Sequence, residues 1–250
     1  MALRRRLAVI PEVQQPFWAR PTEARSLMPL LLLGGWTDTQ PGDRAIVVRL
    51  AQHSYEDVEE TLMRWVNEPD APVCHVESNW SLASREDAWS LLARFLTNDD
   101  LARFESIAED VLGSLNPQYN LDADQRWMAG GYGNTPPHSS LLRSGIADTL
   151  ALIAIRTDNI YRNNQNSALE LASRVTARLL RRANQAWQHW ASLSDVLRTL
   201  AEVAPDEFLR EIEAGLSNNP QVFASLFQDK AASIFAFSPH VRLLEPLELL

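Results

Sequence analysis

Two neighbouring stretches decide the fold: residues 54–66 read SYEDVEETLMRWV, and residues 72–82 read PVCHVESNWSL. In the first stretch, apolar residues recur at helical spacing behind Ser54, which is a residue type that caps helix N-termini. In the second, two short strand-like runs, residues 72–76 and 80–82, flank Glu77-Ser78-Asn79, as in a β-hairpin. The two stretches therefore predict a helix followed directly by a hairpin.

Two further helices are expected before this pair. One covers Arg25 to Leu33 and ends at Gly34-Gly35, and the next covers Asp43 to Gln52. Three helices followed by a hairpin are the element order of a winged helix. We therefore expect residues 1–84 to form an N-terminal strap and a small winged-helix-like unit.

Residues 85–250 are predicted to form an α-helical, repeat-like domain. The clearest pair is Ser192–Val203 and Asp206–Leu216, separated by Pro205. Such a pair cannot bury both of its apolar faces alone, so neighbouring helices must stack on it. The expected fold class is mostly α, a helical-repeat-like bundle of helix pairs with one small unit that carries a β-hairpin.

The predicted helix from Ser167 to Arg182 carries the best candidates for binding a protein partner. Its arginines cluster late, where cations suit the helix dipole, so a purely structural role also explains them. Two nearby tryptophans, three residues apart, are either core anchors or exposed contact points for a partner. The candidate protein-binding residues are Arg174, Arg178, Arg181, Arg182, Trp187 and Trp190.

Charge argues against binding to nucleic acid. The chain has a formal net charge of −9, and residues 40–84 contain three arginines against eight acidic residues. A recognition helix with Glu56, Asp57, Glu59 and Glu60 would repel phosphates. A DNA-binding winged-helix regulator nevertheless stays open as the alternative function.

The motifs of common enzymes are missing from the sequence. There is no GxxxxGK[ST] phosphate loop, no HExxH and no GxSxG elbow. Cys74 and His75 are adjacent in a predicted strand and point to opposite faces, so His75 is badly placed to activate the thiol. We expect a non-catalytic protein without a cofactor or a metal. An enzyme whose residues converge only in the fold, for example around Tyr132 and His138, remains the third hypothesis.

The sequence favours a cytoplasmic protein that does not enter a membrane. Its strongest apolar stretch, Leu27–Leu33, is far shorter than the roughly 20 residues of a membrane span. The basic start is followed only by a short apolar run, Leu7 to Ile10, before Pro11, so it lacks the apolar region of a signal peptide. The single cysteine, Cys74, excludes an internal disulfide.

Four segments, taken in order, resemble a known family. They are residues 80–89 (WSLASREDAW), 126–133 (RWMAGGYG), 138–150 (HSSLLRSGIADTL) and 200–209 (LAEVAPDEFL). Their order is similar to the region after the nucleotide-binding module of large bacterial STAND-type NTPases, a class that includes antiviral sensors. The resemblance covers roughly residues 4 to 248.

In that family, a degenerate winged helix joins the NTPase to a C-terminal helical-repeat sensor. The NTPase motifs are absent from this chain, so ATP binding and hydrolysis are not carried over. The resemblance implies a linker-plus-sensor fragment, or a relative of one, whose partner is a phage protein or the rest of a larger NTPase.

Overall fold

The computed structural model describes residues 16–156, 160, 165–228 and 239–248. The described chain is mostly helical and contains one small antiparallel sheet, which confirms the predicted fold class. Residues 1–15, which make up most of the expected N-terminal strap, lie outside the described residues.

The N-terminal part of the chain alternates short helices with three strands. After a 3-10 turn at Phe17–Ala19, its elements are α1 (Pro21–Ala24), α2 (Met28–Leu33), β1 (Gly35–Thr37), α3 (Pro41–Ala51), α4 (Tyr55–Val66), β2 (Val73–Val76) and β3 (Asn79–Leu82).

The remainder of the described chain is helical. Its elements are α5 (Arg85–Leu92), α6 (Asn98–Leu112), α7 (Ser140–Ile155), α8 (Gln165–Ala183), α9 (Trp187–Ser192), α10 (Leu197–Val203), α11 (Pro205–Asn218), α12 (Pro220–Gln228) and α13 (Pro239–Leu247). Further 3-10 turns lie at Arg25–Leu27, Ala93–Phe95, Pro117–Asn120 and Arg126–Tyr132.

The sheet has the strand order β1-β3-β2 and is antiparallel throughout. The hairpin of β2 and β3 was predicted, but β1 was not. Gly34 ends α2 with a φ of 74°, as expected of a glycine at a helix C-terminus. The chain then continues as a strand, in which Trp36 pairs with Trp80 of β3. A helix, a strand, two helices and a hairpin give this part the connectivity of a winged helix.

Side-chain caps fix the starts of several helices. Ser54 Oγ accepts a hydrogen bond from the backbone N–H of Asp57 at 3.2 Å, which confirms the predicted start of α4. At α6 the cap is Thr97, which forms a reciprocal capping box with Asp100.

The predicted helix over residues 192–203 is interrupted in the structure. It is divided between α9, which ends at Ser192, and α10, which begins at Leu197. The Oγ of Ser192 donates to the carbonyl of Gln188 and accepts from the backbone N–H of Asn116. A helix beginning at Ser192 was expected from apolar spacing alone, which carries no information about such a distant partner.

The two parts of the chain on either side of Ser84 share one buried core. Helix α7 packs on α2 and β1 from the N-terminal part. The helices can pack this closely because residue 145 of α7 is glycine: a Cβ at Gly145 would stand 2.1 Å from the carbonyl oxygen of Leu33. Arg85 reinforces it by donating to the carbonyl of Gly145 at 2.8 Å and to Thr149 at 2.6 Å.

None of the helices in the described ranges is both long enough and apolar enough to cross a bilayer.

Candidate protein-binding surface

Helix α8 places the predicted arginines on its outer side. Its inner side is apolar, and Leu171, Val175 and Leu179 are buried against α6, α7 and α11. Because a helix repeats every 3.6 residues, positions 170, 174, 177, 178 and 181 lie together on another face of the helix. That outer face contains Arg174, Arg178 and Arg181.

A groove of about 560 Å³ runs along this outer face. Its lining residues follow helical spacing along α8, with one residue contributed by α11. The side chains of Ser173 and Ala177, one turn apart, are small and leave room between the longer side chains around them. The full lining is Glu170, Ser173, Arg174, Ala177, Arg178, Arg181 and Glu207.

Glutamates of α6 hold two of these arginines in place. Arg174 makes two hydrogen bonds to the carboxylate of Glu105, at 3.1 and 2.9 Å. Arg178 donates to Glu109 at 2.6 Å and to Glu105 at 3.3 Å. The hydrogen bonds that Arg174 donates to Glu105 raise the pKa of Arg174 above its usual value. The two guanidinium groups are therefore fixed before any partner arrives.

The other two predicted arginines are more exposed. Arg181 donates to Glu211 at 3.0 Å, and its side chain remains 67% exposed. Arg182 is also exposed and makes no ion pair within the described residues. One of its nitrogens lies close to Gly113, because a Cβ at Gly113 would come within 3.3 Å of it. The arginines thus combine a structural role in joining α6, α8 and α11 with an accessible outer surface.

The two predicted tryptophans have different environments. Trp190 is fully buried, its ring centroid lies 5.4 Å from that of Phe223, and its Nε1 donates to Asn184 at 3.3 Å. It is a core residue and cannot touch a partner of the folded protein. Trp187 is half-buried, with the ring of Tyr119 at 5.9 Å and the guanidinium of Arg126 at 5.2 Å. Only Trp187 of the pair reaches the surface.

The acidic partners and the small residues of this surface were not predicted from the sequence. Glu105 and Glu109 could not be recognised as partners of the arginines, because they lie roughly 70 residues earlier in the chain. Ser173 and Ala177 were not predicted either, although their small size and four-residue spacing between arginines are visible in the sequence. That spacing was the available signal for a groove.

A polar cluster beside the sheet brings together Tyr55, Asp38 and His75. The hydroxyl of Tyr55 donates to Asp38 and accepts from Trp36 Nε1 at 3.0 Å, while His75 Nε2 lies 3.0 Å from Asp38. Burial, followed by the hydrogen bond to Asp38, raises the pKa of Tyr55, so its hydroxyl keeps its proton. The ring of His75 stacks on Trp80 at 4.0 Å. These groups satisfy one another and tie α4 to the sheet.

The hypothesis of an enzyme site around His138 and Tyr132 gains little from the geometry. His138 lines a pocket of about 280 Å³ that also contains Arg143 and Asp195. Tyr132 does not line this pocket and is 57% exposed. Within the described ranges, no group of three or more histidine, cysteine or acidic side chains is arranged to hold a metal ion.

Comparison with known proteins found no matching family model, no similar curated protein and no similar solved structure. Any function for this chain must therefore be inferred from its own geometry.

Proposed function

We propose that this chain is a non-catalytic protein-interaction module of the sensor type, which binds a helical segment of a protein partner in the groove of α8. The observation that carries the proposal is the groove itself. Its floor is formed by Ser173 and Ala177, and its sides are formed by arginines that are already fixed by Glu105 and Glu109. A site prepared in this way loses little side-chain entropy on binding.

The dimensions of the groove favour a helix as the occupant. Residues 170–181 extend over about 16 Å, which corresponds to about three turns of a bound helix. Small residues at Ser173 and Ala177 let the side chains of a second helix enter between the arginines, as ridges enter grooves in helix packing. The aliphatic stems of Arg174 and Arg178 supply apolar contact area while their charged ends remain in water.

Charge indicates the kind of helix that fits best. Arg174 and Arg178 are already paired with glutamates of α6, whereas Arg181 makes a single ion pair among the described residues and keeps most of its guanidinium exposed to an acidic group of a partner. An amphipathic helix with acidic residues beside its apolar face matches this distribution. Arg181, the most exposed of the three arginines, is the natural partner for such an acid.

We extend the proposal to a relationship with the STAND-type NTPases, a cytoplasmic location, and a phage component or the remainder of a larger NTPase as the partner. The order of elements supports it, because a winged-helix-like part precedes a helical part, as in that class. No nucleotide-binding activity is included in the proposal.

The test uses a variant that fills the groove. Ala177→Trp places a large side chain on its floor, and Ala102→Trp adds the same side chain to an exposed position of α6 as the matched control. The chain and both variants are used to capture partners from cells infected with phage, and binding is then measured with the purified partner. We expect Ala177→Trp alone to lose at least about tenfold in affinity.

Two outcomes would count against the proposed function. One is equal binding by Ala177→Trp and Ala102→Trp, which would place the partner elsewhere. The other is the absence of a stable protein partner, together with phage resistance that does not depend on residues 84–250.

The connectivity of the N-terminal part favours one second candidate, a DNA-binding regulator. In a winged helix, α4 would be the helix that enters the major groove. Here α4 contains four acidic residues and one arginine, and Arg44 is already paired with Glu56 at 3.1 Å. DNA binding at low salt distinguishes the two functions: tight binding that weakens steeply with added salt would favour the regulator.

A further inference from the structure

A second concave site lies away from α8, at the junction of the two parts of the chain. It is a pocket of about 420 Å³ between the 3-10 turn at Arg25–Leu27, the α3–α4 corner and the first turns of α6. This volume is within the roughly 300–1,000 Å³ that small-molecule sites occupy. The pocket does not share a lining residue with the α8 groove, so an inference from it is independent of the proposed protein-binding function.

Part of the pocket lining is apolar and rigid. Met28, Leu32, Leu50 and Val58 come from α2, α3 and α4, and each is at most 7% exposed. These side chains are part of the continuous core, so a ligand would not need to order them. Such a wall favours an aliphatic or aromatic group, whose transfer out of water is itself favourable.

The opposite part of the lining holds an excess of guanidinium groups. The carboxylate of Asp100 is shared by Arg25, at 2.7 Å from Nη1, and Arg103, at 2.7 Å from Nη2. The single negative charge of Asp100 therefore balances only one of the two positive charges of Arg25 and Arg103. The Nε–H of Arg103 is buried and has no acceptor within the described part of the chain.

A third guanidinium, that of Arg64, has almost no partner of its own. It is exposed, and its one hydrogen bond in the described ranges is a long one of 3.4 Å to Thr61 on the same helix. The nearby acid Asp57 accepts instead from the hydroxyl of Ser54 at 2.6 Å. Three arginines and two aspartates therefore line the pocket, and both aspartates already have donors.

We propose that this pocket binds a small organic acid, with its anionic group at the arginines and its aliphatic or aromatic body on the apolar wall. Two features define this ligand class. The uncompensated guanidinium groups select a carboxylate or a comparable anion, since guanidinium binds such groups through charge-assisted hydrogen bonds. The buried wall of Leu32, Leu50 and Val58 excludes an anion that has no apolar body.

The test is calorimetric titration of the full chain with three probes. Octanoate, kept well below its micelle-forming concentration, carries both an anion and an apolar body. Acetate lacks the body, and 1-octanol lacks the charge. We expect octanoate to bind one site per chain and the other two probes to bind at least about tenfold more weakly, as expected when a charged hydrogen bond or an apolar contact is lost.

Two variants assign the binding to this pocket. Arg64→Gln removes the least-engaged guanidinium and should weaken octanoate binding about tenfold, whereas Arg198→Gln, at an exposed position of α10, should leave it unchanged. Ala51→Trp fills the pocket and should abolish binding, with circular dichroism used to check that the fold is kept.

The proposal is overturned if octanoate does not bind to the folded chain. It is equally overturned if 1-octanol binds as tightly as octanoate, or if Arg64→Gln and Ala51→Trp both retain the affinity of the original protein. Loss of the protein partner in the Ala177→Trp experiment has no bearing on these results, so failures of the two proposals are distinguishable.

Discussion

Gly145 lies directly against Leu33: a Cβ added to Gly145 would stand 2.1 Å from the carbonyl oxygen of Leu33. The neighbour is main chain rather than a flexible side chain, so it cannot rotate away. The absence of a side chain at residue 145 is what allows α7 to rest on the end of α2 and the start of β1.

Gly145→Ala is therefore expected to destabilise the protein. The added methyl group must push α7 and α2 apart, and overpacking of this kind costs about 1–3 kcal/mol or more. Urea unfolding followed by circular dichroism measures the effect. Ser144→Ala, at the adjacent exposed position of the same helix, is the control and should change little. Equal midpoints for the two variants would show that this close contact is not formed in solution.

Arg143→Gln is expected to cost about 3 kcal/mol in the free energy of unfolding. Arg143 is 6% exposed and donates to the carbonyls of Val111 and Ser192 at 2.8 and 2.7 Å, besides making two bonds to Asp195. It thereby adds a charged donor to the carbonyl of Val111 at the C-terminal end of α6, which also accepts from the hydroxyl of Ser114 at 2.7 Å.

Asp195→Asn is the matched comparison for Arg143→Gln. It keeps the shape of the pair and leaves the carbonyl bonds of Arg143 intact, so we expect a smaller loss of about 1 kcal/mol. Chemical denaturation of both variants measures the difference. A larger loss for Asp195→Asn would mean that the ion pair, rather than the capping of α6, is the main contribution of Arg143.

The protein should lose stability in acid through Asp100. Burial disfavours the carboxylate, but hydrogen bonds from Arg25 and Thr97 outweigh burial and lower the pKa of Asp100 from 3.8 to about 2. A group whose pKa is lower in the folded state stabilises it fully above pH 4, and this contribution disappears as the pH falls from about 4 to about 2. The amount is up to about 2 kcal/mol.

Unfolding free energies measured between pH 5 and pH 2 test this expectation. Asp100→Asn should flatten the acid limb of the profile, whereas Asp99→Asn, in the same helical turn but exposed, should preserve it. If the unfolding free energy of Asp100→Asn falls in acid as steeply as that of the original protein, the carboxylate of Asp100 is not the cause of the acid sensitivity.

Truncation of the two neighbouring tryptophans should give unequal results. Trp190→Ala removes a fully buried ring and is expected to cost about 3–5 kcal/mol. Trp187→Ala removes a half-buried ring and the contact with Arg126, so we expect about 1 kcal/mol. Thermal unfolding followed by calorimetry compares the variants, and similar losses would contradict the different burial of the two side chains.

Local signals in the sequence were sufficient for much of the fold. Ser54 starts its helix as its residue type predicts, and the hairpin around Glu77 lies where the apolar runs end. These features depend on residues within one or two turns of the chain. Strand β1 could not be found in this way, because Gly35-Trp36-Thr37 is a strand only through its pairing with β3, more than 40 residues later.

The candidate site was predictable only in part, because some of its residues are close together in the sequence and others are not. Residues four apart on a helix are neighbours, so the spacing of Arg174 and Arg178 is enough to put them on one face of the predicted helix. Whether an arginine is accessible, however, depends on Glu105 and Glu109 of another helix. The i, i+3 spacing of Trp187 and Trp190 also could not distinguish surface from core, since Trp190 is buried by residues of α12.

The contact between Gly145 and Leu33 has a mechanical consequence. Arg85 of α5 also bonds to the carbonyl of Gly145 and to Thr149, so α7 and the sheet are joined through main-chain contacts as well as through side chains. Backbone cannot move aside by changing rotamer, and we therefore expect a displacement of α7 to be transmitted directly to the end of α2 and to β1.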